Sequence, residues 1–379
     1  MIRLPAPQGW PRSAQALLLL ALSALLVLPL QALRLPAALL LGPMAAAAML
    51  AGAGTALRIP PPLFVAAQAT VGCMIARILP PSLGIEIVHH WLVFAGGVVS
   101  VVAAAALLGT LLMRWRVLPG TTAVWGAMPG AATVMTLMSE AYGADMRLVA
   151  VMQYLRVVCA ALVASLVARL WLPAGAAAHT AGLHWWAAVP ATGFAETTLL
   201  AAAGIWLGRV LRIPAGPLLV PMFAGMVLKG TGLFSIVLPA PLLAVAYALL
   251  GWTIGLRFSA DMLRNAAAAL PRIIASILAL IALCGGFAFI LHRMAGVDPM
   301  TAYLATSPGG ADSVAIIAAG SQVDLPFVMA MQVLRFLLVL LVGPTLARLI
   351  TRLHRAPAIA PPAADSSRLV LEDSETSCP

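Results

Sequence analysis

Between Ser13 and Thr351 the sequence is a succession of apolar runs separated by short polar breaks. Each run is about 17 to 25 residues long, the length a helix needs to cross a hydrocarbon core about 30 Å thick. In lipid every backbone polar group must find its partner within the protein, which leaves helices and closed barrels as spanning structures. Runs of this length predict helices, and no stretch between them is long enough for a soluble domain of useful size. Charged residues make up 9% of the chain and apolar ones 63%, against roughly 25% charged in an ordinary soluble domain. The expected fold class is all-α transmembrane, with the lipid bilayer as the first partner.

The net charge is +10, which in a soluble protein would suggest nucleic acid. Here Arg and Lys stand singly or in pairs at the ends of apolar runs, the distribution of topology signals, so no nucleic-acid partner is expected. Cys73, Cys159, Cys284 and Cys378 are far apart and form no CxxC pair, which argues against a disulfide framework or a zinc site. Arg3 and Arg12 before the run Ala16 to Leu30 resemble a secretory signal. An internal repeat argues against its cleavage, because the second unit carries a corresponding apolar segment in mid-chain.

The chain matches itself at an offset of 178 to 179 residues. Leu33-Arg34-Leu35-Pro36-Ala37 returns as Leu211-Arg212-Ile213-Pro214-Ala215, and Pro62, Gly72 and Ile75 return as Pro241, Gly251 and Ile254. Pro129-Gly130 pairs with Pro308-Gly309, Asp145 with Asp324, Met152-Gln153 with Met331-Gln332, and Arg156 with Arg335. Apolar matches arise by chance in such a sequence; polar residues and prolines in one register do not. The expected organisation is a first repeat over 1–172, a linker over 173–182, a second repeat over 183–355 and a disordered cytoplasmic tail over 356–379. Each unit holds six apolar segments, the fifth near 119–142 and 299–321.

An even number of crossings per unit makes the repeats parallel, and an odd number makes them inverted. With the N-terminus inside and every segment spanning, the basic residues divide eleven inside to eight outside. If the fifth segment of each unit enters and returns on one side, the division becomes fourteen to five, as the positive-inside rule requires. The fifth segments also carry helix breakers at their centres, Met128-Pro129-Gly130 and Ser307-Pro308-Gly309-Gly310. Broken backbone at membrane depth survives where protein or a water-filled cavity satisfies it. The expected architecture is two inverted repeats, each of about five spanning helices plus one re-entrant or broken segment, in a multi-pass inner-membrane protein with cytoplasmic termini.

That register, with Gly126-Ala127-Met128-Pro129-Gly130 and Ser307-Pro308-Gly309-Gly310 in matching places, each followed by an Asp and a Gln-x-x-Arg, resembles the AbrB family of bacterial membrane proteins. Its members carry a duplicated domain, and the resemblance runs up to Arg355. The labels attached to that family, ammonia monooxygenase and regulator of gene expression, come with no assigned site. It is unrelated to the soluble DNA-binding regulators that share its name. Inverted units with a broken helix also look, at the level of fold, like the cation/proton antiporter and bile-acid symporter superfamily.

The sixth segment of each unit holds an aspartate, a Gln at +8 and an Arg at +11: Asp145, Gln153 and Arg156, then Asp324, Gln332 and Arg335. At 100° per residue the three share one helical face, and each arginine stands about 16 Å from its aspartate, close to the midplane. A cation there costs on the order of 2.5 to 3.5 kcal/mol by insertion scales, so each arginine is a candidate site. It could brace the broken segment by donating to freed carbonyls, contact an anionic substrate, or do both. The substrate-binding candidates are therefore Arg156, Arg335, Gln153 and Gln332 with the breaks Pro129, Gly130, Pro308, Gly309 and Gly310. Asp145 and Asp324 read as helix N-caps, and Pro326 in the first turn agrees. Asp312, just after the second break, and Glu196, inside the run Leu183 to Leu207, are the candidates for coupling to a proton or sodium ion. Gln68 reads as a helix-to-helix hydrogen bond, and Gly42 to Gly54 and Gly285-Gly286 read as close helix packing.

A membrane monooxygenase needs converging metal ligands, and the histidines, nearly all at segment ends, form no ligand motif with a carboxylate. The expectation is no enzyme, no cofactor and no metal. Repeats, central breaks and midplane charges are the parts of alternating access, so a secondary transporter of a small, anionic solute or ion is the reading. A membrane sensor affecting gene expression is the alternative, and either is compatible with a homo-oligomer.

Overall fold

The computed structural model describes residues 10–33, 35, 37–55, 57–80, 83–115, 118, 121–128, 139, 144–171, 190–213, 215–232, 234–259, 264 and 266–353. Pro129, Gly130, the linker over 173–182 and the tail over 356–379 lie outside them. Among the described residues the chain is helical and without strands. The first unit contains α1 (Arg12–Ala32), α2 (Ala38–Gly52), α3 (Pro61–Ile78), α4 (Leu83–His89), α5 (Trp91–Arg114), α6 (Thr122–Ala127) and α7 (Met146–Trp171). The second contains α8 (Ala191–Val210), α9 (Gly216–Gly230), α10 (Ala240–Gly255), α11 (Leu270–Ala295), α12 (Pro299–Thr306), α13 (Ala311–Ala319) and α14 (Leu325–Leu353). By length and composition α1, α3, α5, α7, α11 and the Leu325–Gly343 stretch of α14 can each cross a membrane, and α2, α9 and α10 are shorter apolar helices. The chain is a multi-pass helical membrane protein.

Prolines set many of the helix starts. Pro61, at the head of α3, and Pro299, at the head of α12, have φ preset for a helix and lack only an N–H that would have no intrahelical partner. The repeat extends to the backbone: Ala37 before α2 and Ala215 before α9 both adopt left-handed φ, 61° and 54°, which alanine rarely does.

The helices pack as two bundles that cut across the two sequence units. In one, α1, α2 and α3 join α8, α9 and α10; in the other, α5, α6 and α7 join α11, α12, α13 and α14. The first bundle is held by exchanged contacts between the units. Gly72 of α3 lies on the Leu218 carbonyl of α9, and Gly251 of α10 lies on the Leu40 carbonyl of α2. A Cβ at either would meet main chain, which explains glycine at these two matched positions. Gly42 packs on Val27 of α1, whereas Gly285 and Gly286 have nothing within 4 Å of a built Cβ. Their reading as close helix packing is therefore corrected, as it is for Gly52, which has no neighbour there either: Gly286 is exposed, beside the buried Cys284.

In the second bundle the fifth segment of the second unit doubles back. The Thr301 hydroxyl, at the start of α12, accepts from the Asp324 N–H at 3.1 Å, just before α14. Arms of eight and nine residues continuing straight would carry Ala319 roughly 30 Å from Thr301. Residues 320–323 reach back at most about 17 Å, so α12 and α13 are the two arms of a hairpin whose tip is Ser307 to Gly310. In the first unit the Thr122 hydroxyl accepts from the Asp145 N–H at 3.0 Å, so that segment also returns to the level it left.

The two fifth segments start at opposite ends of the bundle. Near the start of α5, Phe94 packs on Phe327 at the start of α14, with ring centroids 5.0 Å apart. Near its other end, Gly109 of α5 packs on Val124 and Ala127 of α6. As α7 begins beside α6, α7 and α14 begin at opposite ends.

Candidate functional site

A proline at a helix break leaves the carbonyl four residues earlier without its donor. Here those carbonyls belong to Trp125, four before Pro129, and Leu304, four before Pro308. Each is taken by a glutamine of the following long helix. Gln153 Nε2 donates to Trp125 O and Met128 O, both at 3.0 Å. Gln332 Nε2 donates to Leu304 O at 2.8 Å and Ser307 O at 3.3 Å.

The arginines complete the brace. Arg156 donates through Nη1 to Met128 O at 2.9 Å and Ala127 O at 3.4 Å, and through Nη2 to Gln153 Oε1 at 2.8 Å. Arg335 donates through Nη1 to Ser307 O, and through Nη2 to Gly309 O at 2.8 Å and Gln332 Oε1 at 2.6 Å. Both glutamines are 0% exposed, and the arginines 4% and 5%, so neither guanidinium escapes to an interface. The Gln-x-x-Arg spacing puts amide and guanidinium one helical turn apart, which lets each Gln oxygen orient its Arg.

The two braces converge. A Cβ on Gly309 would lie 3.5 Å from Ala160 Cβ, and one on Gly310 3.7 Å from Val157 Cγ1. The second hairpin tip thus rests on α7 one turn beyond Arg156. Arg156 and Arg335 are within electrostatic reach of each other, and Cys284 of α11 is within reach of both and of Tyr303. Thr306 Oγ1 donates to Cys284 O at 3.2 Å. The hydrogen bonds of Arg156 and Arg335 among the described residues go to main-chain carbonyls and glutamine amide oxygens. Arg156 Nε, Arg335 Nε, Ser307 Oγ and Tyr303 Oη are buried without a partner among them.

Asp312 stands in the first turn of α13, and Gln68 of α3, in the other bundle, hydrogen-bonds its carboxylate. Glu196 lies elsewhere: its carboxylate accepts from Ser235 N at 2.8 Å and Ser235 Oγ at 3.0 Å, pinning the extended segment before α10. Asp145 accepts from the Arg147 and Leu148 N–H groups, and Asp324 from that of Phe327, so both cap their helices. Among the described residues no three His, Cys, Asp or Glu side chains gather where one metal ion could be held. Sequence reasoning missed Cys284, Tyr303 and the Ser307 hydroxyl, which carry no spacing pattern, and found Gln68 without its partner.

The family described as transition state regulatory protein AbrB matches residues 39–351. The chain is 46% identical over 334 residues to an Escherichia coli (strain K12) protein named "Putative regulator AbrB", covering 88% of this chain and 96% of that protein. It is 27% identical over 307 residues to a Bacillus subtilis (strain 168) protein named "Uncharacterized protein YhjN", covering 76% and 78% of the two. No solved structure matches it.

Proposed function

The chain belongs to the AbrB family, and from that premise we propose that it is a secondary transporter carrying a small anionic solute across the inner membrane by alternating access. The observation that carries the reading is the convergence of the end of α6 and the α12–α13 hairpin tip, reached from opposite ends of one bundle, on a buried arginine pair. Broken backbone at membrane depth is costly and is retained where it lines a substrate path. Permanent positive charge at the same point favours an anion. The first bundle supplies a partner for relative motion, with Asp312 at the contact as the coupling group. The fourteen-to-five division of basic residues supports cytoplasmic termini. The cycle makes and breaks no covalent bond, so no enzyme activity is proposed.

The test is solute flux into proteoliposomes across a panel of organic and inorganic anions, with ammonium, amino acids and alkali cations as the other arms. Flux above protein-free vesicles is expected for an anion. Arg156→Lys or Arg335→Lys should impair it, and either Gln variant should abolish it with normal amounts in the membrane. No flux for any panel member, or near-normal flux in the Gln double variant, would sink the proposal. The Escherichia coli relative is named a regulator, which favours a second reading, the effect on gene expression that the family resemblance implies. Through transport, that effect would be lost in Arg335→Gln as in a deletion.

A further inference from the structure

We infer that the arginine pair takes a doubly charged anion, a short dicarboxylate or a compact oxyanion, as one ligand bridging Arg156 and Arg335; this rests on the site of the proposed transporter. Each guanidinium spends three of its four Nη hydrogens on the hairpin carbonyls and a glutamine oxygen. Its Nε–H is left buried and unpartnered, on α7 and on α14. The Ser307 hydroxyl at the second tip is 1% exposed and unpartnered, and the Tyr303 hydroxyl on the same arm is unpartnered as well. These groups offer four hydrogen-bond donors from two helices and a hairpin arm. The start of α13 at the tip, Gly310, carries no side-chain cap. Asp312, in that first turn, is engaged by Gln68 of the other bundle.

Charge decides the class. Two guanidiniums in electrostatic reach of each other repel, and low dielectric strengthens the repulsion. Braces made of neutral carbonyls and amides leave both charges uncompensated among the described residues. A monoanion would cancel one and leave the other buried; a dianion cancels both.

The experiment is equilibrium binding of radiolabelled succinate and radiolabelled sulfate to the purified full chain in detergent at fixed ionic strength. Saturable binding of at least one is expected, undisplaced by a large excess of acetate or chloride. Arg156→Lys and Arg335→Lys keep charge and fold but lose the fork, and each should weaken binding by about tenfold or more. Succinate binding alone identifies a dicarboxylate, sulfate binding alone a compact oxyanion. Failure of both probes to saturate, displacement by acetate or chloride at comparable concentration, or unchanged binding in both Lys variants would overturn the inference. The competition arm uses the unaltered protein and stands whatever the variants do. If proteoliposomes carry a monoanion or a cation, the ligand class falls and transport stands. If a dianion binds and no solute crosses, transport falls and the class stands.

Discussion

Gln332 occupies the place that Pro308 vacates. Leu304 O would take the N–H of residue 308 in an unbroken helix, and the glutamine amide supplies the missing donor at 2.8 Å. Replacing Gln332 by Leu strands the Leu304 carbonyl and frees an arginine hydrogen, each buried unsatisfied group costing roughly 1 to 3 kcal/mol. The expected outcome is a large fall in thermal stability in detergent, partly recovered by adding Pro308→Ala, which returns an N–H to residue 308. A second change with no recovery would show that the glutamine is not there for that carbonyl. The neighbouring aspartates separate structure from ligand contact: Asp324→Ala removes a cap worth about 1 kcal/mol and should leave flux by correctly inserted protein intact. A folded Asp324→Ala protein without flux would give the aspartate a ligand role. The Gln-x-x-Arg spacing made these residues legible in sequence as one helical face. What they face was not, because hydrogen-bond partners 25 to 29 residues away depend on how the chain folds back.

The hairpin is the element on which topology turns. Its bounds were nearly legible: the sequence places the second broken segment at 299–321 with its break at Ser307 to Gly310, and the arms run Pro299–Thr306 and Ala311–Ala319. Breakers announce themselves because proline and glycine act on their own backbone. The seven-residue helix Leu83–His89 was not foreseen, since a helix that short has little apolar periodicity to show. Gly285-Gly286 misled because small residues mark close packing only on a face that has a neighbour. With native cysteines removed, thiol probes at Trp115 and Arg147 should label from one side, the cytoplasmic one. Probes at Asp298 and Ser321 should label together from the other. Separate sides within either pair would mean that the fifth segment crosses, and one shared side for all four would make the units parallel.

At the scale of the molecule, repeat periodicity showed two units and hid the two bundles, each of which takes about half of both units. Register says which helices correspond; side-chain fit across faces says which ones touch. The bundles meet where α3 lies on α13, with Arg257 Nη1 donating to the Tyr154 hydroxyl at 2.9 Å as a second polar link. Asp312 is at the first of these contacts and on the hairpin whose tip Arg335 holds, so α13 joins the seam to the anion site. A proton or sodium ion on the carboxylate would remove a negative charge from the seam as solute binds at the tip, the linkage a coupled transporter needs. Asp312→Asn mimics the neutral state and can still hydrogen-bond Gln68. Flux in this variant should become indifferent to imposed proton and sodium gradients, while exchange of labelled for unlabelled solute persists. Gln68→Leu is the control: it breaks the link between bundles but keeps the carboxylate, so its rate should change and its gradient dependence remain. Gradient dependence that survives intact in Asp312→Asn places the coupling ion elsewhere, and its loss in Gln68→Leu alone would make the seam contact, and not the carboxylate's charge, the coupling element.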